Sequence, residues 1–248
     1  MEKKGLEIII QPEHLFDLFG LHVTNTMVTA LLAGAFLMTL GVLVGRRLKE
    51  APGRLQSALE LIVGGLLDAM EEILGSRALA KQIFPLVATI FLFVWTANWL
   101  EFIPGVGSIK FHSAEHTVPL LRSVNTDLNV TIALAMLSVV MIEIVGFTAL
   151  GLRTYGKKFF NFSGPLDFFI GLIELISEAA RLISFSFRLF GNVFAGEVLI
   201  AVMTFFMPVF LPVPFMLFEV FVGILQAAIF AGLTVIFVKV AVAHQEGH

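Results

Sequence analysis

Ionisable side chains sit where an apolar sequence has least use for them. Within residues 165–207, an apolar run of about 43 positions, lie Glu174, Glu178, Arg181, Arg188 and Glu197, with Ser177, Ser184 and Asn192 among them. A second apolar run, 215–243, carries Glu219 and Gln226. Charges inside a bilayer are costly and mark ion paths by default. Carboxylates can take up and release protons, because desolvation moves their titration toward the working range. An arginine cannot release its proton at any relevant pH. It can block a proton wire, and it can attract a carboxylate on a moving partner, but it cannot be a step in the wire.

Helical geometry orders these groups. At about 100° per residue, Glu174, Arg181 and Arg188 fall on one stripe, flanked by Glu178, Ser184 and Asn192. Glu197, nine positions after Arg188, lies about half a turn away on the opposite face. Glu219 and Gln226 are seven apart and share a face. Two readings remain open. In one, the acids line an ion path with Arg188 as a fixed cation within it. In the other, Arg181 snorkels to the interface and Arg188 pairs structurally with Glu174 or Glu178 through a neighbouring helix. Glu143, alone in its own apolar segment, either lines the inward route or pairs structurally.

The elements that would position these groups follow from composition and apolar run length. Of 248 residues, 58% are hydrophobic and 14% charged, against about 25% charged in soluble domains. The fold class expected is an all-α polytopic membrane protein, with about five membrane-embedded helices and one interfacial helix, the last two long and strongly tilted. The net charge of −3 does not suggest a nucleic-acid partner, and zero cysteines exclude disulfides and thiolate metal sites. The N-terminus, "MEKKGLEIIIQPEHLFDLFG", lacks a signal-peptide pattern, so the chain reads as a mature protein.

Span 1 is expected at 27–45 after an outer N-terminal segment, 1–26. It is stopped by Arg46, Arg47, Lys49 and Arg54, which belong on the cytoplasmic side. Residues 55–75 are amphipathic, with Glu60, Asp68, Glu71 and Glu72, and read as an interfacial helix. Span 2, 83–103, leaves outward with Trp95 and Trp99 as interfacial anchors, near Asn98 and Glu101. An outer loop, 104–126, leads to span 3, 127–151, closed by Arg153, Lys157 and Lys158. The run 165–207 is about 65 Å long if wholly helical. It reads as one steeply tilted helix rather than a hairpin turning at Gly191 or Gly196. Pro208, Pro212 and Pro214 mark a turn before the last helix. The N-terminus is thus expected outside and the C-terminus in the cytoplasm. Glu174, Glu178, Arg181 and Ser184 then fall on the inner side of Arg188, and Asn192, Glu197, Glu219, Gln226, Asn98 and Glu101 on the outer side.

The segment "RLFGNVFAGE" resembles the signature around the essential arginine of subunit a of the F-type ATP synthase membrane sector. "APGRLQSALELIVG", "ANWLEFIPG", "NTDLNVTIALA" and "LQAAIFAGLTVIF" extend the resemblance over most of the chain from about residue 27. It implies that Arg188 faces the rotating ring of c subunits, displaces the ion from each incoming carboxylate and prevents a short circuit between half-channels. It implies an outer half-channel at Asn192, Glu197, Glu219 and Gln226, and an inner side at Glu174 and Ser184. The long helix pair would follow the curve of the ring. The implied partners are the c-ring, peripheral-stalk b subunits and the remainder of the synthase. The lack of a targeting segment favours a bacterial cytoplasmic membrane, although organelle-encoded copies would also lack one. No metal or cofactor is expected, and catalysis of ATP chemistry belongs to other subunits. Some relatives carry a histidine with an acid at the two outer-channel positions, whereas here both are glutamates, Glu197 and Glu219, which would tend to hold one proton between them. Glu143 receives no role.

Two competing readings are weaker. "HSAEH", His112 to His116, has the spacing of inverted zinc proteases but falls in a loop. His14, His22, His244 and His248 lie near the ends and are read as solvated. A stand-alone channel or secondary transporter predicts internal symmetry or broken helices around a midplane site, and neither is visible.

Overall fold

The protein is described by a computed structural model covering residues 11–18, 20–46, 48–49, 52–103, 110–112, 117–151, 155–156, 159 and 164–243. Arg47, Arg153, Lys157, Lys158, His116, His244 and His248 lie outside these.

The architecture is all-α, with six helices and two small hairpins among the described residues. The first hairpin pairs β1 (His14–Leu18) with β2 (Leu21–Thr24) and feeds directly into α1 (Asn25–Gly45). Thr24 starts that helix by accepting the Met27 N–H at 3.4 Å. Few α1 side chains are buried, and Leu31, Phe36 and Met38 point outward, as suits a helix surrounded by lipid.

Helix α2 (Arg54–Leu74) is apolar on one face only, and ends at Gly75 in the left-handed region that a residue without Cβ accepts. α3 (Arg77–Leu100) begins six residues before the expected span. Ser76 caps it, and Arg77 reaches back to Asp68 and Glu71 of α2, both at 2.6 Å. Amphipathic α2 and apolar α3 therefore form a helical hairpin.

A second strand pair, β3 (Lys110–His112) and β4 (Thr117–Pro119), precedes a 3₁₀ turn at Val124–Thr126 and α4 (Leu128–Leu150). Asp127 caps α4 through the Asn129 N–H at 2.9 Å and also accepts the Thr26 hydroxyl at 2.7 Å. One carboxylate thus fixes the starts of α1 and α4 at the same end of the bundle.

α5 (Pro165–Phe206) is one continuous helix of 42 residues, about 63 Å long. α6 (Pro212–Ala243) has 32 residues. The run therefore does not turn at Gly191 or Gly196. Five helices (α1, α3, α4, α5 and α6) are long and apolar enough to cross a membrane. The core forms where α3, α4, α5 and α6 meet, around Val87, Ile90, Val94, Ile142, Phe185, Leu189, Phe230 and Val235. Phe185 stacks on Phe230 and meets Phe237 edge-on, at ring separations of 5.1 and 5.6 Å.

Tyr155, the single tyrosine of the chain, is fully buried against α4. Its ring occupies the space that a side chain at Gly146 would need, and its hydroxyl lies near Glu143, one turn earlier. Burial, and then the Glu143 carboxylate, push the hydroxyl above its ordinary pKa, so it remains a donor. Gly146→Ala should therefore lower stability by about 1–3 kcal/mol through overpacking. The check is the thermal unfolding midpoint in detergent. Gly34→Ala in α1, where nothing lies within 4 Å, should lower it little or raise it. Equal midpoints for the two variants would contradict the close fit of Tyr155 on Gly146.

Candidate ion-conducting site

Helices α5 and α6 hold nearly all the charged and amide groups singled out from the sequence. Their apolar seam sets the register, and the polar contacts sit above and below it. Asn192 donates to the Gln226 Oε1 at 2.7 Å. Gln226 is 2% exposed, and its Nε2 has no hydrogen-bond partner among the described residues. Gly196 lies directly under the Glu219 carboxyl, in a position where any Cβ would collide with it. The glycine is there to admit the acid, not to turn the chain.

Arg188 stands on α5 between these contacts and a second polar set. Its Nη2 donates to Ser184 Oγ at 3.3 Å, and among the described residues no carboxylate lies within ion-pairing distance. Its neighbours Ile183, Ser184 and Phe187 are exposed. The pairing available to Glu178 is taken by Arg181, at 2.6 Å, with the Arg181 guanidinium 4.2 Å above the Phe237 ring. Arg181 is therefore bound within the bundle rather than snorkelling, and Arg188 is not the structural partner of Glu178. Glu174, one turn before Glu178 and half-buried, shares that end of α5.

At the other end, the loop before α4 folds onto the helix pair. Arg122 is the residue that sequence reasoning missed. Its side chain is 9% exposed, and its Nη2 lies 3.8 Å from the Glu197 carboxylate. Nη1 donates to the Gln11 carbonyl at 2.8 Å, and its backbone N–H donates to Thr29 Oγ1 at 3.1 Å. Nothing in a polar loop marks one basic residue as buried; only the folding of the loop onto α1 and α5 does so. Glu101, just past α3, stands within Coulombic reach of Glu197, Glu219 and Arg122.

Asn98 is buried and doubly engaged. It donates to the Gly223 carbonyl at 3.1 Å and accepts from Asn125 at 2.6 Å. A Cβ at Gly223 would come to 3.0 Å of Asn98. Trp99 donates to the Val220 carbonyl at 3.2 Å. These bonds lock α3 to α6 beside Glu219. His112 ends an extended strand, β3, which removes the helical context a zinc-protease motif requires; residues 113–116 lie outside the described ones.

The arrangement is a guanidinium on an exposed helix face with no ion-pair partner among the described residues, flanked along the same helix pair by carboxylates and amides toward both ends. Comparison with known proteins gives it a context. The family profile of the ATP synthase A chain matches residues 27–239. The chain belongs to the ATP synthase subunit a family. It is 32% identical to ATP synthase subunit a of Moorella thermoacetica over 235 residues, covering 92% of this chain and 95% of that one. It is also 32% identical to the Mycobacterium bovis subunit a over 248 residues, with 98% and 96% coverage. The Desulfotalea psychrophila subunit a is 34% identical over 214 residues, with 85% and 81% coverage. As a member of this family the chain is a multi-pass membrane component of the ATP synthase.

Gly196→Ala should displace the Glu219 carboxyl, and ion pumping by the assembled complex should fall several-fold. Adding Glu219→Asp, one methylene shorter, should recover part of it. A Gly196→Ala variant that pumps normally would contradict the contact.

Proposed function

We propose that this subunit conducts ions past a c-subunit ring through two offset half-channels that meet at Arg188. The observation that carries the reading is the Arg188 guanidinium itself. It lies on an exposed face of α5 with only Ser184 as a hydrogen-bond partner among the described residues, while its near neighbour Arg181 is ion-paired. A cation left without a carboxylate in an apolar helix is costly unless a partner supplies one. A ring that brings one carboxylate after another past α5 supplies it repeatedly.

In this reading the outer half-channel runs by Glu101, Glu197, Glu219, Asn192 and Gln226. Arg122 presents a permanent positive charge to Glu197, and Gly196 lets Glu219 approach. Asn98 belongs to the wall of this route, since both ends of its amide are already bonded. The inner half-channel runs by Ser184, Glu174 and the Glu178–Arg181 pair. The conducted ion is a proton or sodium. The outer end is the one carrying the first hairpin, and the other end faces the cytoplasm of a bacterial cell, where peripheral-stalk b subunits and the rest of the synthase attach.

ATP-driven proton uptake into inverted membrane vesicles tests this, comparing wild type with Arg188→Ala, and with co-purification of the ring scored separately. The expected outcome is an assembled complex without coupled pumping. Near-normal pumping would move the ion path elsewhere. A wild-type chain that co-purifies with no ring would favour a stand-alone channel or transporter.

A further inference from the structure

We propose that the first hairpin carries a divalent metal site formed by His14, Asp17 and His22, of the kind that takes zinc. His14 Nε2 lies 3.1 Å from Asp17 Oδ1, and His22 Nδ1 meets the same oxygen from the opposite strand. One ligand atom from each of the three lies within 4.8 Å of the other two. The two rings meet edge to face, with centroids 5.3 Å apart. Two imidazoles and a carboxylate are a donor set that zinc accepts, leaving a fourth position for water. Tetrahedral zinc needs ligand atoms roughly 3.3 Å apart, so rotation of exposed side chains is enough to close the site.

The backbone brings these residues together in a way a regular strand would not. Residues 14 and 17 of a regular strand point to opposite faces, because the side-chain period is two. Here the register shifts between His14 and Phe16. Such an irregularity inserts one residue and re-aims a side chain, which brings His14 to the same carboxylate as Asp17's cross-strand partner, His22. Gly20, with φ of +83°, supplies the turn. The scaffold is also held. Leu15 is buried, and Glu13 and Asn25 exchange bonds of 3.2 and 3.0 Å that fasten the hairpin to the start of α1. An aspartate side chain is ionised near neutral pH, so the anionic ligand is in place. The histidines are exposed to solvent, as expected, and also contact the Asp17 carboxylate. A bound ion would staple β1 to β2 next to the loop that carries Arg122.

The test is zinc binding by equilibrium dialysis of zinc chloride against the full-length chain in detergent, purified with a histidine-free tag. About one saturable zinc per chain is expected, weakening as pH falls because binding releases protons. Asp17→Asn and His22→Ala should each lower the affinity by at least about tenfold, whereas His112→Ala should not. Cobalt substituted for zinc should give the visible bands of a four-coordinate site in the wild type and lose them in His22→Ala. Absence of saturable binding, or binding that survives loss of Asp17 and both histidines, would overturn the proposal. Neither result bears on Arg188, so the pumping test stands apart.

Discussion

A guanidinium in an apolar helix is a charge that no change of pH removes, and the rest of the molecule is arranged around that constraint. Arg181 and Arg188 stand seven residues apart on one stripe of α5, yet they are treated differently. Arg181 is satisfied internally, by Glu178 at 2.6 Å and the face of Phe237. Arg188 is turned to the outside with a serine hydroxyl. In the proposed mechanism the contrast separates a charge used to hold the bundle together from one held ready for an external partner. Such a charge needs a rigid base to keep it at a fixed place on the helix face.

That base is the α5–α6 seam. Phe185, directly beneath the exposed face, stacks on Phe230 and meets Phe237 edge-on, and the Asn192–Gln226 bond continues the seam one turn beyond Arg188. Gly196 and Gly223 then allow side chains of neighbouring helices to approach the backbone. In a bilayer, helix association rests on close packing and interhelical hydrogen bonds rather than on the hydrophobic effect, and the glycine contacts and amide bonds here are both of that kind. α3 closes the assembly through Asn98 and Trp99, so Glu219 lies between two fixed neighbours.

The sequence made the helices legible because a membrane span needs about 20 apolar residues and announces itself by length. The single long helix was also legible, since a run of that length without internal proline has no cause to break. The start of α3 at Arg77 was not, because it depends on carboxylates of α2 that are nearby only after the chain folds. The first hairpin escaped notice because its strands are too short for a periodic signal, and its register irregularity hides the alternation. Among functional groups, types and spacings on one helix could be read, and the stripe containing Arg188 was found that way. The partners could not: that Arg181 takes Glu178, that Arg122 reaches Glu197, and that Gly196 exists for Glu219 are facts about pairs of segments. Tyr155 beside Glu143 is of the same kind.

The chain has no cysteine, so each introduced thiol is unique and can report which side of the membrane reaches it. The most direct measurement is labelling of Gln226→Cys and Ser184→Cys by a membrane-impermeant thiol reagent, applied separately to each face of sealed vesicles. Two routes interrupted at Arg188 predict that Gln226→Cys is labelled only from the outer face and Ser184→Cys only from the inner face. Labelling of both positions from the same face would mean a continuous path past Arg188, and would contradict its role as the barrier.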